Sequence, residues 1–160
     1  GVQRIYDAFF EEVYPFIGAE DMPPVRYEKK VIALAHDPAC ERSHPGVYCF
    51  EENMLGFKSL ELRARRLIWE NARGRCELLF GLGENVETPY PGWPEVPALS
   101  SGGWMPEDQL RVRCFAIGNA PCGIDLLLSF REDGVTVQAR NSFDPITNAF
   151  NGVATGYLRS

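Results

Sequence analysis

The sequence predicts a mostly β fold, an antiparallel meander or barrel of about eight strands that follows an N-terminal helix. From residue 27 onwards, short runs of β-branched and aromatic residues alternate with turn signals, as is typical of all-β domains. The clearest hairpin signal is Asp133-Gly134, which lies between two apolar runs, 124–130 and 135–139. The spacing between runs is too short for helical crossovers, which disfavours a parallel α/β fold.

The N-terminal helix is expected over residues 2–18, with Pro15 bending or ending it. Apolar residues recur there at three-and-four spacing, with acidic residues between them. They are Val2, Ile5, Tyr6, Phe9, Phe10, Val13, Phe16 and Ile17. We expect this apolar face to pack on the chain's own sheet; the alternative is a helix that once packed on a neighbouring domain.

The barrel is expected over residues 27–158. Strands are predicted at 27–35, 47–51, 57–64, 67–70, 76–82, 109–117, 124–130, 135–139 and 150–158. The intervening stretch 83–103 carries four prolines and is expected to be a long loop.

Composition predicts one globular domain spanning residues 1–160. Hydrophobic residues make up 45% of the chain and charged residues 24%, as in ordinary packed domains. The net charge of −6 argues against a nucleic-acid partner. No apolar stretch approaches the roughly 18 residues that a membrane span requires, so we expect a soluble protein. The 5 cysteines cannot all pair within one chain, and free thiols favour a cytoplasmic location.

The chain begins with Gly1 rather than Met. We therefore expect a fragment of a longer protein, in which a missing domain could perform the chemistry.

Catalytic residues are not predicted within this chain, and no cofactor is expected. The nucleophile motifs Ser-x-x-Lys and Gly-x-Ser-x-Gly are absent from the sequence. Ser43 precedes His44, but adjacency in sequence does not give the geometry of a triad. The carboxylate pair Glu107-Asp108 lies beside turn residues, where acidic side chains are normally solvated.

A zinc site is the alternative chemistry. Within a short stretch the sequence places four zinc-binding side chains, His36, Cys40, His44 and Cys49. The prolines around them indicate a loop between two strands, in which these residues could also occur by coincidence. We expect no metal there but retain a small zinc-dependent enzyme as a hypothesis.

A pocket for a small apolar ligand is a further alternative. Aromatic residues flank the Pro-rich stretch, and aromatic side chains can line the mouth of a barrel. They are Trp69, Phe80, Tyr90, Trp93 and Trp104. The same residues could instead be core packing.

Two motifs resemble a known family. The sequence GVYCFEEN at 46–53, followed by GFKSLEL at 56–62, resembles the opening of the lipocalin-like C-terminal domains of serine β-lactamase-like and penicillin-binding-protein-like hydrolases. Trp104, the Asp133-Gly134 hairpin and FNGVATG at 150–156 are similar to that family's tail.

The resemblance implies a lipocalin-like barrel that is an appendage to a catalytic domain. The Ser-x-x-Lys nucleophile would lie in that preceding domain, so the full-length protein could be a serine hydrolase although this chain is not an enzyme. The expected partner is then the preceding domain of the same protein, where the barrel shapes active-site access or mediates assembly, homo-oligomers included. A free-standing calycin-like binder of a small apolar ligand is the competing hypothesis.

Overall fold

The computed structural model describes residues 32–117, 122–142 and 152–159. That part of the chain is almost entirely β structure, with one short 3-10 helix at Pro38–Cys40. Its strands are β1 (Val47–Phe50), β2 (Ser59–Arg63), β3 (Arg66–Asn71), β4 (Gly74–Leu79), β5 (Gly81–Leu82), β6 (Val86–Tyr90), β7 (Trp93–Met105), β8 (Gln109–Ala116), β9 (Gly123–Phe130), β10 (Gly134–Ser142) and β11 (Gly152–Leu158).

The strands form one sheet that curls into a nearly closed barrel. Its order is β4-β3-β2-β1-β11-β10-β9-β8-β7-β5, and β6 pairs with β7. All pairs are antiparallel except β5 with β7. The curl brings β4 close to β6. The predicted fold class, a mostly antiparallel β-barrel, is confirmed; the helix predicted at 2–18 lies outside the described residues.

The prediction of a long loop at 83–103 is wrong. This stretch contains most of the β6–β7 hairpin, in which Pro89 lies opposite Pro97 and the register shifts after Pro89. Because β6 pairs on one side only, a proline there removes no ladder hydrogen bond on its free side. Pro91 and Gly92 form the turn, and Gly92 has a φ of 87°, which glycine adopts without strain.

The other predicted strands lie close to observed strands, but fewer strands were predicted than the structure contains. The described residues contain eleven strands where about eight were expected. The strand predicted at 76–82 is interrupted at Phe80, which separates β4 from β5. A strand was predicted at 27–35. The structure describes residues 32–35 of this stretch, and they are not part of a strand.

Instead of joining the sheet, residues 32–37 lie along the outside of β7. The Leu34 N–H donates to Ser101 Oγ at 2.9 Å, and Arg113 donates to the Ile32 carbonyl. A Cβ at Gly103 would overlap the Ala35 carbonyl oxygen. The close approach of this segment therefore depends on a residue without a side chain.

The core lies inside the barrel. Side chains alternate between buried and partly exposed along β8 and most of β9, the period expected of strands with one face inward. The largest fully buried side chains are Trp69, Phe80, Leu60, Leu67, Leu78, Leu110, Ile124, Leu126, Leu128, Val112, Val135 and Val137. Across the described segments, no helix has the length and apolar character needed to cross a membrane.

Candidate functional site

A histidine and an aspartate meet at one end of the barrel. His44 belongs to the segment before β1, and Asp108 belongs to the turn between β7 and β8. His44 Nε2 lies 2.6 Å from Asp108 Oδ1, a distance typical of a short hydrogen bond to a charged group. The side chains are 15% and 34% exposed, respectively, so the contact is partly shielded from water.

The backbone holds Asp108 in a costly conformation. Glu107 and Asp108 have φ values of 67° and 60°, in the left-handed region that costs non-glycine residues roughly 1–2 kcal/mol each. The Asp108 carbonyl accepts a hydrogen bond from Phe130 N at 3.0 Å. The turn is thus fixed both by its own hairpin and by the end of β9, which aims the carboxylate at His44.

An aromatic cluster lies beneath the histidine. The His44 ring stacks on Phe130 with ring centroids 4.1 Å apart and an interplanar angle of 4°. The ring centroids of His44 and Trp104 are 6.1 Å apart. Tyr48 lies 6.0 Å from Phe130. Burial, and next the charge of Asp108, raises the pKa of Tyr48 above its usual value. The site is therefore a polar pair that covers an apolar floor.

The second histidine has a structural contact. The Trp104 backbone N–H donates to His36 Nδ1 at 3.1 Å, and the Asp37 N–H donates to the Trp104 carbonyl at 3.3 Å. On the other side of the ring, His36 Nε2 lies 3.5 Å from Glu41 Oε1. These contacts extend the attachment of residues 32–37 along β7.

The four predicted zinc ligands are not brought together. His36 and His44 have the partners described above, and the Cys40 thiol lies 3.4 Å from Asp37 Oδ2. Cys49 is on β1, opposite Tyr157 and Ser59 in the neighbouring strands. Within the described ranges, no three His, Cys, Asp or Glu side chains are arranged to hold a metal ion.

Neither histidine is paired with a candidate nucleophile among the described residues. In the described part of the chain, neither imidazole is hydrogen-bonded to a hydroxyl or a thiol. What His44 and Asp108 can do is hold the segment before β1 on the barrel end.

The five aromatic residues considered as a ligand pocket do not form one cluster. Trp69, Phe80, Tyr90 and Trp104 are 4% exposed or less and belong to the core, whereas Trp93 is 37% exposed at the β6–β7 turn. The ring centroids of Trp93 and Tyr90 are 6.2 Å apart. Trp104 lies at the barrel end that carries His44. In this structure, four of the five fill the interior of the barrel.

Sequence reasoning did not find Asp108, which it took for a solvated turn residue. The carboxylate is 64 positions from its partner, so no local pattern could pair them. A usable signal is that Glu107 and Asp108 directly precede the alternating strand β8, which places them in a turn and therefore at a barrel end.

Asn53, which lies in the 46–53 motif, has a structural role. Asn53 Oδ1 accepts from the N–H groups of Leu55 and Phe57, while its Nδ2 donates to the carbonyls of Glu51 and Phe57. This one side chain organises the loop between β1 and β2.

No protein-family model and no curated protein matches the chain.

Proposed function

We propose that this chain is a non-catalytic accessory domain of a serine hydrolase of the β-lactamase or penicillin-binding class. In that protein the domain would shape access to the active site or hold the assembly together. The proposal places the reacting groups in a preceding domain and gives the barrel a binding role.

The observation that carries the proposal is the way the two family-like segments fit each other. Residues 46–62 and 152–156 are far apart in sequence, yet β1 pairs directly with β11. A Cβ at Gly156 would lie 2.6 Å from Phe50 Cζ, and one at Gly152 would overlap Met54. This pairing is what the proposed barrel domain requires, because its first and last strands must lie side by side for the sheet to curl into a barrel.

The packing of the interior also supports a role other than storage of a ligand inside the barrel. The barrel centre is occupied by bulky apolar side chains such as Trp69, Phe80 and Leu126, each with at most 1% of its surface exposed. Function then depends on the outer surface and on the ends of the barrel. This is the arrangement expected of a domain that acts by contact with another domain.

The test compares the full-length protein with the 160-residue chain, using a chromogenic ester and a chromogenic β-lactam as substrates. We expect the full-length protein to hydrolyse at least one of them through the Ser-x-x-Lys serine of its preceding domain, and the chain alone to be inactive. Removal of the barrel should change KM or the yield of folded hydrolase.

The proposal is overturned if the full-length gene encodes no hydrolase domain. It is also overturned if the isolated chain turns over substrate and His44→Ala abolishes that turnover. His36→Ala serves as the matched control, since His36 is the other histidine of the chain and has only structural contacts.

A further inference from the structure

We propose that the outer face of β8, β9 and β10 is a docking site for a carboxylate-rich segment of a partner protein. The inference goes beyond the proposed function and does not depend on it. Three arginines and one aspartate occupy outward positions on these strands, and we call the four residues the arginine patch. They are Arg111, Arg113, Asp125 and Arg140.

The arginine patch carries an excess of positive charge on a chain whose net charge is −6. Three guanidinium charges and one carboxylate leave a charge of +2, and the described outer positions of β8, β9 and β10 hold no other charged residue. The outer positions of β2, β3 and β4 instead balance three arginines against three glutamates. They are Arg63, Arg66, Arg75, Glu61, Glu70 and Glu77. The excess on β8–β10 is therefore a local feature of that face.

The strand register places two of the arginines on either side of the one carboxylate. Asp125 lies opposite Arg113 on β8 and opposite Arg140 on β10. Its oxygens are bound by the third arginine, because Arg111 Nε donates to Oδ1 at 3.1 Å and Arg111 Nη2 donates to Oδ2 at 2.7 Å. Within the described ranges, neither Arg113 nor Arg140 forms an ion pair. The two flanking guanidinium groups are therefore left without a carboxylate of their own.

Arg113 is held in place although it lacks a carboxylate. Its Nη2 donates to the Ile32 carbonyl, and its Cζ lies 5.4 Å from the centroid of the Phe115 ring, a distance at which the ring face attracts a guanidinium. Burial, and next the charge of Arg111, lowers the pKa of Arg113. A side chain that is already ordered loses little freedom on binding, and an added anion would offset the repulsion between the two guanidinium groups.

The surroundings of the arginine patch favour a protein segment as the occupant. Phe115 and Leu127 share the outer face and are only partly buried. Arginine and aromatic residues are enriched in protein interfaces and lysine is depleted, and the described outer positions of these three strands carry no lysine.

The spacing of the arginines also disfavours a single small anion. Neighbouring strands lie about 4.8 Å apart, so the backbones at Arg113 and Arg140 are about 10 Å apart across β9. Carboxylates spaced along an extended segment can match this separation, whereas one phosphate or carboxylate group would have to draw the two side chains together. A nucleic acid would extend beyond the patch over the acidic remainder of the chain, which opposes its binding.

The experiment titrates the isotope-labelled 160-residue chain with a short peptide of alternating glutamate and glycine, and follows the backbone amide signals by NMR. At low salt we expect shifts confined to β8, β9 and β10, with a Kd on the order of millimolar because exposed ion pairs are individually weak. Raising the salt from about 20 mM to about 150 mM should weaken binding, since exposed charges are screened. A peptide of alternating glutamine and glycine should cause no shifts.

Two variants change the charge of the arginine patch in opposite directions. Arg140→Gln removes an exposed guanidinium and should raise the Kd about threefold, whereas Asp125→Asn removes the only carboxylate of the patch and should lower the Kd by a similar factor. Arg66→Gln is the matched control, because Arg66 is also an outward arginine on a strand but pairs with Glu77 at 3.1 Å. Its Kd should equal that of the wild type.

Three results would overturn the inference. They are shifts spread over the whole barrel, equal effects of Arg140→Gln and Arg66→Gln, and binding that Asp125→Asn weakens. Tighter binding of inorganic phosphate or of a short RNA than of the glutamate peptide, at equal ionic strength, would overturn the assignment to a protein segment. None of these results bears on the proposed function, which is tested by the activity of the full-length protein.

Discussion

Replacing Ser100 by Ala is expected to stabilise the barrel, whereas the same substitution at the next residue, Ser101, is expected to destabilise it. Both are on β7 and almost fully buried, at 0% and 1% exposure. They point to opposite faces of the sheet, as successive strand residues do. Ser101 Oγ accepts from Leu34 N on the outside, whereas Ser100 Oγ has no hydrogen-bond partner among the residues that the structure describes.

The expected magnitudes follow from this difference. A buried polar group without a partner costs about 1–3 kcal/mol relative to its solvated state. Ser100→Ala removes that cost and loses only the packing of one oxygen atom, so we expect a gain of about 1 kcal/mol. Ser101→Ala leaves the buried Leu34 N–H without its acceptor, so we expect a loss of about 1–3 kcal/mol.

Urea unfolding of the 160-residue chain and both variants measures the two changes. The variants should have the same slope as the wild type and differ in midpoint, because neither changes the surface exposed on unfolding. If Ser100→Ala destabilises the chain by as much as Ser101→Ala, the hydroxyl at position 100 has a stabilising role that the structure does not show, and the reasoning fails.

Three further predictions concern the barrel end, the outer segment and a buried thiol. Asp108→Ala should destabilise by about 1 kcal/mol more than Asp108→Asn, because Asn tolerates the left-handed region better and keeps a hydrogen bond to His44; equal losses in urea unfolding would contradict this. Gly103→Ala should cost about 2 kcal/mol or more, since its Cβ would force Ala35 outwards; a loss below about 0.5 kcal/mol, typical of neutral surface changes, would refute the contact. Burial, and next Cys122, raises the pKa of Cys114 from 9.0 to about 12. The folded state then keeps a proton that the unfolded chain releases, so the contribution of Cys114 to stability is fully present below pH 9 and is lost as the pH rises from 9 to about 12. Unfolding at pH 8 and pH 10 should show a smaller decrease for Cys114→Ala than for wild type.

Local signals predicted local structure well. The Asp133-Gly134 dipeptide predicted the β9–β10 hairpin. It could do so because two residues determine the turn, and the flanking strands are determined by their own alternation of apolar and polar residues. The same reasoning failed at residues 83–103, where proline was read as a strand breaker. Proline is excluded only where a ladder hydrogen bond is needed, and Pro89 is on a strand paired on one side, which only the assembled sheet reveals.

The candidate site was only half predictable. His44 was singled out as a titratable residue, first as a zinc ligand and then as a base beside Ser43. Its partner, Asp108, is contributed by a distant hairpin, and no periodicity or motif connects the two. The five aromatic residues are divided between the core and the β6–β7 turn, since burial inside the barrel and exposure at a turn produce the same sequence signal.

The incomplete closure of the barrel bears on how it can bind a partner. Within the described strands, no ladder joins β4 to β6, although the two lie close together. An open edge normally invites another strand, but Pro89 lacks an N–H, and Arg75 and Glu77 place charges along β4. Such features are ways in which proteins prevent strand addition. Addition of a further strand at this seam is therefore disfavoured.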